Sequence, residues 1–201
     1  MPRVKVKRQS TVTDMTAMCD VAFLLLTFFI LTAKFKPDDP LPIDIPASTV
    51  QIKVPENNLA TLSIVKGRVL FGMSDDDVRG ATLERMGKQY NISFTPEEKK
   101  RFSSIDAFGV PIKNLKAYIA ANGEQRKEMI PGVPIDSTNN ELTQWLLQSR
   151  YATKELHNKD MRVTLKGDSK EEFPTIRKVI NTLQKQKINK FSMITSLRVV
   201  K

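Results

Sequence analysis

The run from Met15 to Ala33 is apolar enough for lipid and contains one residue that lipid does not accept, Asp20. A bilayer core about 30 Å thick takes about 20 helical residues, so this stretch can cross a membrane once and is predicted to be a helix. An ionised Asp in such a helix costs roughly 2.5–3.5 kcal/mol on insertion scales, and residues of this kind face protein or water and move protons or ions. Asp20 is therefore read as a proton or ion relay. On a helix Thr16, Asp20 and Thr27 share one side, at offsets of four and seven residues, with Phe23 and Leu24 in the turn between. The two Thr hydroxyls can join the relay or bond back to their own helix. Cys19, the sole cysteine, excludes an intrachain disulfide and reads as a small buried residue.

Arg3, Lys5, Lys7 and Arg8 precede the span, whereas Lys34 and Lys36 after it are offset by Asp38 and Asp39. That bias puts residues 1–13 in the cytoplasm, the span at 14–34, and the rest of the chain outside. A cleaved signal peptide shares the basic start. The length of the apolar run, the absence of a small-x-small site after Ile30, and Asp20 itself argue against it.

From residue 35 to 58, Pro37, Pro40, Pro42, Pro46 and Pro55 forbid a continuous helix and predict an extended linker. Leu41, Ile43 and Ile45 alternate with Pro40, Pro42, Asp44 and Pro46, the period of a strand. The even-numbered prolines remove N–H donors from one edge only, so the other edge can add to a single neighbour. Such a strand suits capture of a partner segment without open-ended aggregation.

Residues 59–201 have the length and apolar content of one domain. Thr61–Val65 and Arg68–Phe71 around Lys66-Gly67 predict a hairpin. Near the other end, Met161–Lys166 predicts a strand, Gly167-Asp168-Ser169 a turn, Phe173–Gln186 an amphipathic helix and Phe191–Val200 a last strand. The fold class is α+β: a small sandwich with helices on one face of a sheet. Between these parts, about residues 75–158, a helical insertion is expected, with helices at Asp76–Tyr90, Pro96–Ile105 capped by Thr95, Ile112–Ala121 and Asn139–Leu156. Trp145, Leu142, Leu146 and Tyr151 read as a core stripe.

The formal charge of +10 lies mostly outside the membrane, where nucleic acid is scarce, and no aromatic and Arg pattern of a nucleic-acid motif occurs. There is no P-loop, no nucleophile elbow and no recognisable carboxylate pair. His157 has no second His or Cys to share a metal. An enzyme, a metal site and a bound cofactor are thus not expected.

Asp14-Met-Thr-Ala-Met-Cys-Asp20-Val-Ala-Phe-Leu-Leu-Leu-Thr-Phe-Phe, followed by Ile43-Asp-Ile-Pro-Ala-Ser48, resembles the ExbD/TolR family. Thr61–Gly72 and Met161–Val200 are similar to that family's periplasmic domain, while residues 75–158 exceed its shorter members. The resemblance implies a bacterial inner-membrane motor subunit: a homodimer inside a pentameric ExbB-like channel, passing proton-motive force to a TonB-like transducer for outer-membrane transport. It implies that Asp20 is the essential carboxylate and that Ile45, Pro46, Ala47 and Ser48 meet the transducer. A TolR-like subunit of the Tol envelope system carries the same marks. A flagellar-type stator has a membrane Asp too, but its peptidoglycan-binding motif is not found here.

Overall fold

The computed structural model describes residues 15–32, 41, 43, 57–136, 139–168 and 173–194, and the backbone of 47–48 and 196–197. The chain forms two compact units, residues 1–37 and 38–201. In the first, helix α1 runs Met15–Thr32 with no Gly or Pro to interrupt it and no buried residue. Apolar side chains lie all round it, Leu31 being 85% exposed and Phe23 63%, which is the pattern of a helix surrounded by lipid or partner. Cys19, expected to be buried, is exposed on this helix, because a lone helix offers no interior.

The second unit is built on a mixed sheet. Strand β1 is Ala47–Ser48, β2 Leu59–Val65 and β3 Arg68–Met73, the latter two forming the expected hairpin. Lys66 and Gly67 both take positive φ, +50° and +73°, the two-residue turn whose twist matches that of paired strands. With β4 (Ala107–Phe108), β5 (Arg162–Gly167) and β6 (Phe191–Ile194) the order across the sheet is β4-β3-β2-β5-β6. The β2/β5 and β5/β6 pairs are parallel and the others antiparallel. The predicted last strand is divided. Phe191–Ile194 completes this sheet, whereas Ser196–Leu197 (β7) leaves it and pairs in parallel with β1. Gly167 and Asp168 also depart from the predicted turn, since Gly167 ends β5 and Asp168 N–H donates to Ile64 O at 3.0 Å.

Helices fill the region between the hairpin and β5. Helix α2 spans Asp76–Tyr90, with acidic Asp76 and Asp77 in the first turn and left-handed Asn91 ending it. Helix α3 (Pro96–Ser103) opens on a capping box in which Thr95 and Glu98 satisfy each other's backbone N–H groups. The predicted helix from Ile112 starts as a 3₁₀ turn, Ile112–Asn114, and continues as α4, Leu115–Ala120. A short α5, Gly123–Glu128, was not expected: it is polar throughout and rests on a reciprocal Asn122–Gln125 cap rather than on an apolar face. Helix α6 runs Glu141–His157, capped by Asn140, and α7 runs Phe173–Lys185 between β5 and β6.

These helices share one core with the hairpin. Trp145 of α6 is fully buried and lies edge-on to Phe108 with centroids 4.7 Å apart, with Phe102 at 6.2 Å and Phe71 at 6.4 Å. Phe71 thus brings β3, and Phe108 brings β4, into contact with the helical region. The sheet is covered more fully than expected, since adjacent residues Leu70 and Phe71, which face opposite sides, are both buried. On the Leu70 side the close approach of Ile130 is possible because Gly109 has no side chain; a Cβ there would stand 2.7 Å from Ile130 Cγ2. Tyr151, read as part of a core stripe, does not join the core, and neither does Phe173 at the start of α7. They are 55% and 67% exposed, because the buried faces of their helices turn through Trp145 and Ser149, and through Val179 and Leu183.

Two buried charges are held internally. Arg79 donates from Nη1 to Asp106 at 2.7 Å and also pairs with Asp76, while Glu141 accepts the Ile112 N–H at 2.8 Å. Both tie separate elements of the helical region together. If the aromatic cluster is the joint between helices and sheet, Trp145→Ala should cost about 3–5 kcal/mol of unfolding free energy. Urea denaturation followed by circular dichroism measures it, and a loss below about 1 kcal/mol would show that the two regions do not depend on this contact.

Candidate functional site

The candidate residues fall in three places. On α1, Thr16, Asp20 and Thr27 do lie on one side of the helix, all three outside any core. Asp20 is the sixth residue of the 18-residue helix, on the N-terminal side of its centre. Its carboxylate is exposed on the helix surface. Thr27 is half-buried against its own helix and donates to Leu24 O at 2.9 Å, so its hydroxyl is satisfied locally. Thr32, which was not singled out, does the same with Phe28 O at 2.7 Å. A carboxylate among apolar side chains can accept hydrogen bonds, bind a cation or exchange a proton.

The second place is the segment after the helix. Leu41 is half-buried and packs against the hydrophobic core of residues 38–201, and Ile43 is half-buried as well. Ala47 and Ser48 form β1, in register with Ser196 and Leu197 of β7. Strand pairing is thus limited to Ala47 and Ser48, with β7 as the neighbour, whereas Leu41 lies in a bend and Ile43 takes no regular secondary structure, so the alternation at 41–45 does not form the expected strand at these two residues. Ile45 and Pro46 lie outside the described residues.

The third place escaped sequence reasoning. His157, the last residue of α6, has its Nε2 2.8 Å from the Asp77 carboxylate of α2 and its Nδ1 in hydrogen-bond contact with Asn58 Oδ1 at the start of β2. Asp75, Asp76, Ser74 and Lys159 line the same open hollow. Burial there pushes the Asp77 carboxyl up, but hydrogen bonds from His157 and the Val78 N–H, with attraction to His157, outweigh it and hold Asp77 below its ordinary value. Among the described residues, no group of three or more His, Cys, Asp or Glu side chains is placed to hold a metal ion. No sequence signal could have assembled this corner, because its partners stand 80 and 99 residues from His157.

Among the described residues one helix, Met15–Thr32, is long and apolar enough to cross a membrane. No curated protein and no solved structure matches the chain with significance. The sequence pattern of the family described as "Biopolymer transport protein ExbD/TolR" matches residues 7–197, which include α1 with Asp20, the β1 segment, the helical region and the sheet. With nearly the whole length matched and an α+β domain following one apolar helix, the chain belongs to the ExbD/TolR family of biopolymer transport proteins.

Proposed function

We propose that this chain is an ExbD-like subunit of a proton-driven inner-membrane motor, and that Asp20 is the group through which proton flow becomes mechanical work. The observation that carries the reading is an exposed carboxylate on an otherwise apolar, wholly unburied helix. Each proton crossing 100 mV releases roughly 2.3 kcal/mol, enough to bias a conformational step if the carboxylate alternates between charged and neutral forms. Thr16 and Thr27 stand on the same side and complete a polar stripe; Thr27 serves the stripe through the Leu24 carbonyl to which it is bonded.

The N-terminus lies in the cytoplasm and residues after the span in the periplasm, in keeping with the Lys and Arg bias. As membership of the family implies, two copies sit inside a pentameric ExbB-like channel protein; that one helix cannot cover its own carboxylate supports a protein lining of some kind. The motor output passes to a TonB-like transducer through Leu41, Ile43, Ile45, Pro46, Ala47 and Ser48. The strand pairing of Ala47–Ser48 supports this, since a segment able to pair with β7 can also pair with an extended partner peptide. The subunit itself does no covalent chemistry. A TolR-like role rests on the same carboxylate and is separated from the ExbD-like one by which process fails in its absence.

Asp20→Asn keeps the size and most of the hydrogen bonding but cannot release a proton. In a deletion strain it should insert at normal levels and leave TonB-dependent uptake at the level of the deletion. Full uptake would overturn the relay. Loss of envelope integrity with normal uptake would instead assign the chain to the Tol system.

For the linker, Ile43→Pro or Ile45→Pro should remove a donor from the pairing edge and reduce crosslinking of an adjacent introduced cysteine to the transducer, in a Cys19→Ser background. Pro42→Ala, on the other edge, should leave crosslinking near the unmodified level. Equal crosslinking in all three would exclude recognition by strand pairing.

A further inference from the structure

Strands β2, β5 and β6 run parallel, so their first residues, Leu59, Arg162 and Phe191, stand together at one end of the sheet. A hollow of about 1160 Å³ opens there, between the strand starts and the C-terminal turn of α6. Met161 and Phe191, both half-buried, give it an apolar floor. Around them stand four exposed cations, Lys154, Lys159, Arg162 and Lys190, and the side-chain amides of Asn57, Asn158 and Asn189.

The cations outnumber their partners. Asp160 is the one carboxylate that lines the hollow, and Lys154 already holds it at 3.4 Å. The other acids of this end are engaged elsewhere: Glu155 with Arg85, Asp76 with Arg79, Asp77 with His157, and Asp75 with the Asn58 N–H. Among the described residues no carboxylate pairs with Lys159, Arg162 or Lys190. Arg162 and Lys190 are moreover neighbours. Val163 is in register with Phe191, so the residues just before them stand side by side on adjacent strands, about 5 Å apart. Like charges so placed repel and cost stability. The negative end of the α6 dipole offsets a fraction of this charge, and a bound anion would offset the rest.

We infer that this hollow is a docking site for an acidic, extended segment of a partner protein. Its volume exceeds that of most small-ligand pockets, and its cations come from α6, the turn after it, β5 and the turn before β6, so the occupant is a chain with several charges and not a single small anion. Met161 and Phe191 call for apolar side chains beside the carboxylates. The Asn amides both donate and accept, as a peptide backbone requires. A phosphate polymer would use the cations and leave the apolar floor without a partner. The site uses none of residues 41–48 and none of α1, so it does not rest on the reading of Asp20 or of the linker.

The test is fluorescence anisotropy on the full-length chain in nanodiscs of neutral lipid, with a labelled peptide of alternating Glu and Leu as the probe. The peptide should bind saturably, and severalfold more weakly at about 150 mM salt than at about 50 mM. Arg162→Gln combined with Lys190→Gln should weaken binding about fivefold, the effect of two partly exposed ion pairs, and the same peptide with Gln for Glu should lose at least as much. That double variant should not lower the urea midpoint, because it relieves a repulsion. Lys113→Gln combined with Lys127→Gln removes the same charge from exposed positions elsewhere and should leave binding unchanged. No binding of the Glu peptide, equal affinity for the Gln peptide, or equal weakening by the two double variants would overturn the site. Displacement of the probe by inorganic polyphosphate as readily as by unlabelled Glu peptide would assign the hollow to phosphate polymers and overturn the peptide reading.

Discussion

A carboxylate on the surface of a helix with no interior is the constraint on which the rest depends. Had Asp20 been buried against another element of its own chain, it could have been a paired structural charge. Helix α1 has no buried residue, and its apolar side chains are exposed on every side. The cost of placing that group in lipid, roughly 2.5–3.5 kcal/mol, is not met by any residue of helix α1 itself. A single span cannot do so by itself, which is why the function proposed for the chain includes a partner lining. The family to which the chain belongs, biopolymer transport proteins of the ExbD/TolR kind, gives that requirement a biological setting.

The domain solves a different problem. A long helical region between two parts of one sheet could have formed a separate lobe, but Trp145, Phe102 and Phe108 place its largest side chains against Phe71 of the hairpin. Arg79 and Glu141 fasten it further from within. The insertion is therefore part of the core that supports the sheet, and a change in it can reach the strands directly. At the His157 corner the same region touches the residue through which the chain enters β2.

What could be read in the sequence was what local chemistry decides. Gly67 favours the hairpin turn by backbone preference, Thr95-Pro96 with Glu98 specifies a helix start, and the limits of α2 match those expected because acidic residues open it and Asn91 closes it. What escaped depends on the third dimension. The orientation of α6, set by Trp145, leaves Tyr151 outside, and the transfer of the chain from β6 to β7 needs the β1 segment as neighbour. The same division holds for the functional residues. Asp20 is legible because its surroundings are its sequence neighbours, whereas His157 acquires meaning only from Asp77 and Asn58, far away along the chain.

The central claim is that Asp20 works while enclosed by protein and not by lipid. Labelling with a membrane-permeant carbodiimide tests it most directly, comparing the chain purified alone with the chain purified with an ExbB-like channel subunit. Enclosure predicts that modification of Asp20 falls severalfold in the complex, and that Asp20→Asn removes the label from both. Equal labelling of Asp20 in the two preparations would mean that the carboxylate faces lipid in each, and would contradict the account.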